Sequence, residues 1–193
     1  IEISQDALYG AAKNLALAYP QTAFHAVCAD FTQPMTLPAS VPDAPRTVFF
    51  PGSTIGNFDP QDAITLLQRM RDLIQQEGQL LIGVDTKKDT GVLEAAYNDA
   101  AGVTAAFNLN MLQHLNQKLG CDFEPRQFEH VAFYNEQQGR IEMHLRSRRR
   151  QQIHIGAEVI TFDKGETIHT ENSYKYSPDE FSTLALMAGF SSR

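Results

Sequence analysis

A short polar loop follows an apolar run and carries most of the groups in this sequence that could bind a small ligand. The run 48–50 is typical of a central strand, and it ends at Pro51, which cannot donate to a sheet ladder. The residues after it combine flexible backbone with hydroxyl and amide groups: Gly52, Ser53, Thr54, Gly56 and Asn57. Open α/β sheets bind ligands at the carboxyl ends of their strands. The alternative is an ordinary strand-to-helix connection, with Asp59 as the helix N-cap and Pro60 in the first turn.

The elements that position this loop alternate between strand and helix. Apolar spacing predicts the end of a strand at 1–4, a helix capped by Ser4, a strand at 23–29, a helix over 63–74 and a strand at 79–84. This order predicts part of a doubly wound sheet. After Asp85 we expect two helices, then strands, then a last helix. Their predicted ranges are 90–100 and 102–119 for the helices, 128–135, 140–155, 158–162 and 166–176 for the strands, and 178–188 for the last helix.

Composition excludes several classes of protein. The chain has 193 residues with 42% hydrophobic content, enough for one sizeable core, and its net charge of −7 argues against nucleic-acid binding. No apolar run of about 18 residues and no leader is present, so we expect a cytoplasmic protein with no membrane contact. The six histidines show no metal-ligand spacing, so no metal site is predicted; His169, close to Glu171, is the one histidine of interest.

Four longer motifs carry a family resemblance. They are Gly-Ser-Thr-Ile-Gly-Asn (52–57), Tyr-Asn-Asp-Ala-Ala-Gly-Val-Thr-Ala-Ala-Phe-Asn (97–108), Arg-Ile-Glu-Met-His-Leu (140–145) and Glu-Asn-Ser-Tyr-Lys (171–175). Through them the chain resembles the histidine-specific S-adenosylmethionine-dependent methyltransferases of ergothioneine biosynthesis. The resemblance implies an α/β fold: a partial Rossmann-type class I methyltransferase sheet with an inserted α+β substrate-binding domain. The expected domains are 1–87 with 176–193 for S-adenosylmethionine, and 88–175 for the substrate.

The resemblance also implies an acceptor site for L-histidine. The residues that match the family's motifs would bind the carboxylate (Asn57, Tyr97), flank the amine and the methyl group (Gly52, Thr54, Phe107), hold the imidazole nitrogens (Glu171, Ser173) and line the ring (Met143). Glu171 and Ser173 are two positions apart, hence on one face of a strand. Each residue also has a structural alternative: a surface aromatic for Tyr97, a core residue for Met143, a solvated strand face for Glu171 and Ser173.

The donor site is implied in the same way. Glu2, at the end of a strand, would bind the ribose hydroxyls, and Asp30 with Phe31 would bind the adenine, with Gly52 and Ser53 also on the donor side. An exposed Glu2 and an Asp30 that only shapes a turn are the structural alternatives.

The predicted activity is transfer of methyl groups from S-adenosylmethionine to the α-amino group of L-histidine, giving trimethylhistidine (hercynine). Two alternatives remain: a methyltransferase for another amino acid, and a catalytically silent binding or assembly module. The chain begins at Ile1, within the predicted fold, so we expect it to be part of a longer protein whose upstream segment carries the glycine-rich turn. Without that turn we expect weak donor binding and little turnover. We expect a monomer, or a homodimer formed through an open sheet edge.

Overall fold

The computed structural model describes residues 1–74 and 77–191. By its internal contacts the chain divides into two compact units, each described by itself below. The first holds the described residues of Ile1–Phe50, Ile64–Ile82 and Leu184–Arg193, and the second holds Pro51–Ala63 and Gly83–Thr183. No helix in the described parts of the chain is both long and apolar enough to cross a lipid bilayer.

The first unit contains a parallel strand pair and two amphipathic helices. Strand β1 (Thr47–Phe50) pairs in parallel with β2 (Gln79–Ile82). Helix α1 (Gln5–Ala18) begins where the Ser4 hydroxyl accepts a hydrogen bond from the Ala7 amide at 3.3 Å. Helix α2 (Pro60–Ile74) runs from the second unit into the first and buries apolar side chains at helical spacing: Ala63, Ile64, Leu66, Leu67, Met70 and Ile74. A parallel pair with helices confirms the predicted α/β class.

The strand predicted at 23–29 does not form. Only Cys28 pairs, in a single parallel bridge with Glu2, through the hydrogen bonds Glu2 N to Val27 O and Ala29 N to Glu2 O, each 3.1 Å long. A strand needs a pairing partner along its whole length. Among the described residues only Glu2 pairs with this segment, at one position. The apolar pattern of residues 23–29 therefore predicted a longer strand than the structure contains.

The second unit is built on an antiparallel sheet that two helices cover. Helices α3 (Thr90–Tyr97) and α4 (Val103–Leu119) precede β3 (Phe128–Asn135), β4 (Arg140–Ser147) and β7 (Thr167–Tyr174), which pair in the order β3-β4-β7. The prediction of one strand at 140–155 is wrong, because the chain turns at 148–150 and then forms a separate hairpin. That hairpin consists of β5 (Gln151–Ile155) and β6 (Glu158–Phe162). Helix α5 (Pro178–Met187) follows β7.

Strand β7 carries a bulge that decides which side chains share a face. Met143 of β4 lies opposite Glu171, whereas the next residue, His144, lies opposite His169, so Thr170 is the extra residue. The Thr170 hydroxyl donates to the Met143 carbonyl at 2.9 Å. Because opposite residues in an antiparallel pair point to the same side, the bulge places Glu171 on the face of Met143 and His169 on the other face.

The contact-based units differ from the predicted domain boundaries around the polar loop. Residues 51–63, 83–87 and 176–183 cluster with the segment that the sequence assigned to the substrate, and not with the nucleotide-binding part. The reason is local: Gly56 packs against the backbone of β7, and Ser53 bonds to Asp85. Which unit binds which ligand stays a prediction.

Candidate active site

The polar loop has an unusual backbone conformation and is bonded to Asp85, three residues after the end of β2. Gly52 and Ser53 both have positive φ values, 79° and 57°, and among the described residues Ser53 is the only non-glycine with a positive φ. An L-residue in this left-handed conformation is strained by roughly 1–2 kcal/mol. The Ser53 hydroxyl accepts a 2.7 Å hydrogen bond from the Asp85 amide, which offsets part of that cost. A 3₁₀ turn, Thr54–Asn57, follows.

Gly56 lets this turn lie directly against β7. A Cβ atom at position 56 would lie 2.7 Å from the carbonyl oxygen of Tyr174 and 3.7 Å from the hydroxyl oxygen of Ser173. No side chain fits in that space without moving backbone, so glycine is required by the close approach. The approach brings the loop beside the strand that carries Glu171 and Ser173.

The loop and β7 border a cavity of about 580 Å³ that lies within the second unit. The loop contributes Gly52, Ser53, Thr54 and Asn57. The segment after β2 contributes Gly83, Val84 and Asp85, while α3 and the end of β7 contribute Tyr97, Glu171, Ser173 and Lys175. The volume is within the range of small-molecule sites. Six of the predicted acceptor residues therefore line one cavity: Gly52, Thr54, Asn57, Tyr97, Glu171 and Ser173.

Glu171 is a partly buried carboxylate facing this cavity. Burial raises its pKa above the usual value, and the positive charge of Lys175 opposes that rise only partly. An ionised carboxylate in such a place is stabilised when a ligand brings an N–H donor or a positive charge to it.

An ion pair between the buried Lys175 and the partly exposed Asp85 lies beside the hydroxyl groups of the cavity. Lys175 is 2% exposed, and its ammonium lies 3.0 Å from Asp85 Oδ2, 2.7 Å from the Tyr97 hydroxyl and 2.9 Å from the Ser173 hydroxyl. The two hydroxyl oxygens are 2.7 Å apart. Burial raises the pKa of Asp85, but hydrogen bonds from Lys88 and Lys175 outweigh it and leave that pKa lowered. Asp85 is therefore ionised at neutral pH.

Sequence reasoning missed Lys175 and Asp85. Lys175 is two positions after Ser173, so the alternation already applied to Glu171 and Ser173 would have placed it on the same side. Asp85 follows a predicted strand, a position at which acidic residues often face a ligand.

Two predicted acceptor residues are not among the described residues that line the cavity. Phe107 is 64% exposed on α4. Met143 is 3% exposed and packs in an apolar cluster with Leu93, Ala132 and Ile141, next to Tyr97. Its position opposite Glu171 nevertheless places it on the cavity's side of the sheet. A role for either in the reaction stays a prediction.

The predicted donor residues Glu2, Asp30 and Phe31 belong to the first unit. Glu2 accepts from the Ser4 amide through Oε1 at 2.8 Å. Asp30 accepts from the amide and hydroxyl of Thr32 through Oδ1, at 2.8 and 2.6 Å, and these bonds hold its pKa below the usual value. Phe31 packs edge-to-face against Phe50 with ring centroids 5.6 Å apart. Each carboxylate makes these bonds through one oxygen, so the other suits hydroxyl or amine donors such as those of a nucleoside.

A cluster of Glu142, His144 and His169 lies on the opposite face of the sheet. Their ligand atoms lie within 4.8 Å of one another. Glu142 already accepts from Arg140 at 2.9 Å and Asn135 at 3.0 Å, and the two imidazole rings stack with 15° between their planes. His144 Nε2 also lies 3.2 Å from Glu142 Oε2. The cluster therefore has the character of a packed polar network, and the prediction of no metal site remains untested.

The geometry above is that of a small-molecule site on an α/β scaffold, with a carboxylate acceptor, hydroxyl groups and a buried lysine paired with Asp85. The family model described as "Histidine-specific methyltransferase, SAM-dependent" matches residues 1–193. The chain belongs to this family, so the predicted family is confirmed.

Several curated proteins are similar to this chain. Histidine N-alpha-methyltransferase of Mycolicibacterium smegmatis is 40% identical over 181 residues, which are 92% of this chain and 56% of that protein. Histidine N-alpha-methyltransferase of Mycobacterium tuberculosis is 37% identical over 97% of this chain and 59% of its own length. L-tryptophan methyltransferase of Psilocybe serbica is 33% identical over 77% of this chain and 42% of its own length. The chain thus spans less than two thirds of the length of each of these relatives.

Proposed function

We propose that this chain carries the acceptor site of an S-adenosylmethionine-dependent enzyme that methylates the α-amino group of L-histidine to trimethylhistidine. The observation that carries the proposal is the placing of Glu171, Tyr97 and Asn57 around one cavity. A free amino acid has a carboxylate, an amine and a side chain to be recognised. This cavity offers amide and phenol donors for the first, backbone carbonyl and Thr54 oxygen for the second, and Glu171 for a ring N–H.

Methyl transfer depends more on positioning of the acceptor amine than on acid–base groups. S-adenosylmethionine supplies an electrophilic methyl group on a sulfonium. The residues of this chain would orient the uncharged amine of the acceptor and keep water from it. The residues of the first unit that would hold the donor are Glu2, Asp30 and Phe31, whose oxygens and ring suit a nucleoside.

Glu171 explains why histidine would be preferred to an apolar amino acid. Its carboxylate is partly buried, and an apolar side chain would leave it without a donor. A hydrogen bond to a charged group contributes roughly 1.5–3 kcal/mol, so its loss corresponds to about ten- to hundredfold in kcat/KM.

The experiment is an assay of the full-length protein with S-adenosylmethionine and L-histidine, in which methylated histidines are measured by mass spectrometry. We expect Glu171→Ala to lower kcat/KM for histidine about ten- to hundredfold. Glu158→Ala, a matched change at an exposed residue of β6, should leave it unchanged. Wild-type protein that forms no methylated histidine refutes the proposal.

A second candidate keeps the reaction and changes the acceptor to another amino acid. The similarity to an L-tryptophan methyltransferase favours it, because the family then includes acceptors with different rings. Under this candidate Glu171→Ala changes activity on the true acceptor by less than twofold. Assays with L-tryptophan and other amino acids beside L-histidine separate the two.

A further inference from the structure

A side-chain hydrogen bond anchors the segment that carries Asn57 on each side of it. Before Asn57, the Ser53 hydroxyl accepts from the Asp85 amide. After it, Asp59 Oδ1 accepts a 2.8 Å hydrogen bond from the hydroxyl of Tyr174, on β7. Asn57 is exposed and lines the cavity, so its amide is positioned by the backbone between these anchors.

The direction of the hydrogen bonds of Tyr174 is fixed by its partners. Arg140 Nη1 lies 2.7 Å from the Tyr174 oxygen, and a guanidinium can only donate, whereas a carboxylate can only accept. The phenol therefore accepts from Arg140 and donates to Asp59. Burial raises the pKa of Tyr174, so the phenol keeps this proton at neutral pH. Arg140 Nη1 is 3.6 Å from Asp59 Oδ1, too far for a hydrogen bond, so the phenol links the two.

Arg140 is itself held by the sheet. Its Nε and Nη2 lie 2.9 and 2.8 Å from Glu142 Oε1, and the Asn135 amide donates to the same oxygen at 3.0 Å. Glu142 is buried and the side chain of Arg140 is mostly buried. Charge-assisted bonds of this kind are short and directional, so they hold the guanidinium in one place beside Tyr174.

The anchor at Tyr174 lies on the face of β7 away from the cavity. Ser173 and Tyr174 are consecutive in the strand, so their side chains point to opposite faces. Ser173 lines the cavity, while Tyr174 lies opposite Arg140 in the strand pair, on the other face. The segment therefore reaches both faces at the end of β7, with Asn57 on the cavity side and Asp59 on the other.

We propose, on the basis of the function proposed above, that Tyr174 is a positioning residue, which through Asp59 holds Asn57 where it binds the carboxylate of the acceptor. Tyr174, Asp59 and Arg140 are not among the described residues that line the cavity, so they act through Asn57 and not on the ligand. A contact that is equally strong in the substrate complex and the transition state affects KM and leaves kcat unchanged.

The test is a kinetic comparison of full-length variants with L-histidine and S-adenosylmethionine. Tyr174→Phe removes the hydroxyl and keeps the ring, and we expect KM for histidine to rise about five- to thirtyfold, with kcat within about twofold of wild type. Tyr176→Phe is the matched control, because Tyr176 is also buried and its hydroxyl has no hydrogen-bond partner among the described residues. This variant should keep both wild-type values.

An Asn57→Ala background separates positioning from a general effect on the fold. In it, Tyr174→Phe should change kcat/KM for histidine by less than about twofold, because the contact that Tyr174 positions is already lost. Equal effects of Tyr174→Phe with and without Asn57 overturn the inference. A folded Tyr174→Phe variant with the wild-type KM overturns it too.

Asp59 provides a second test that leaves the buried tyrosine unchanged, since its side chain is 60% exposed. Asp59→Ala removes the acceptor and should raise KM as Tyr174→Phe does. Asp59→Asn keeps an acceptor oxygen and should stay within about twofold of wild type. Equal KM values for the two Asp59 variants contradict the inference. Wild-type protein that forms no methylated histidine refutes the proposed function instead.

Discussion

Gly56→Ala tests whether the close approach of the loop to β7 positions the acceptor site. The added Cβ would lie 2.7 Å from the Tyr174 carbonyl oxygen, and this contact must lengthen by about 0.7 Å to reach the 3.4 Å of an ordinary contact. Gly56 has no positive φ, so alanine suits the backbone, and the change acts through the contact with β7, where the Tyr174 nitrogen would also lie 3.3 Å from the new Cβ. Overpacking of this kind costs about 1–3 kcal/mol.

Two measurements follow from that displacement. We expect Tm to fall by several degrees, because each kcal/mol lowers the Tm of a chain of this size by about 2–4 °C. Movement of the loop by most of an ångström should lower kcat/KM about ten- to hundredfold, since misplacement by about 1 Å has an effect of that size. Differential scanning calorimetry and initial rates with histidine provide both values.

Gly10→Ala is the matched control, because a Cβ at this position in α1 has no neighbour within 4 Å. Alanine is the better helix former by up to about 1 kcal/mol, so Tm should be equal or higher and kcat/KM unchanged. The reasoning is refuted if Gly56→Ala keeps the wild-type Tm and kcat/KM. A lowered Tm with unchanged kcat/KM would show that the contact stabilises the fold without positioning the site.

Three further predictions concern stability and can be measured by urea unfolding. Because burial raises the pKa of Glu171 in the folded state, ionisation destabilises the fold, so Glu171→Gln should stabilise the unliganded protein at pH 7. This gain should vanish at about pH 4 and below, where the wild-type side chain is protonated in both states; an equal gain at both pH values contradicts it. Ser53→Ala should be less stable than Ser53→Gly by about 1 kcal/mol, since both lose the bond from the Asp85 amide but only glycine relieves the left-handed strain; the reverse order would be inconsistent with that strain. Asn108→Ala should cost about 1–3 kcal/mol, because the buried Asn108 amide donates to the His144 carbonyl at 3.2 Å; a loss below 0.5 kcal/mol would argue against it.

Helices and most of the antiparallel strands were predictable because their signals are local. Helix α2 buries Ala63, Leu67 and Met70 at four- and three-residue spacing, and periodicity alone predicts this. The strand at 23–29 failed because a strand depends on a neighbour elsewhere in the chain, which a local pattern does not show.

The candidate site could be predicted where a sequence motif contains its residues. It could not be predicted where it depends on contacts between segments that are far apart in the chain. The loop at 52–57 and the Glu171–Ser173 pair came from residue type, spacing and family resemblance. The bond between Asp85 and Lys175 joins residues 90 positions apart, and no local pattern indicates it. The bulge at Thr170 is equally hidden, because simple alternation would put His169 beside Glu171, while the structure separates them onto opposite faces.

That bulge has a consequence for how acceptor preference can change in evolution. Positions 171, 173 and 175 point one way, while His169 stacks on His144 on the other side of the sheet, 4.5 Å between ring centroids. Substitutions at positions 171 and 173 would therefore change the lining of the cavity on the side of the sheet away from the stacked rings. A single strand thus carries cavity-lining residues on one side and a packed pair of rings on the other.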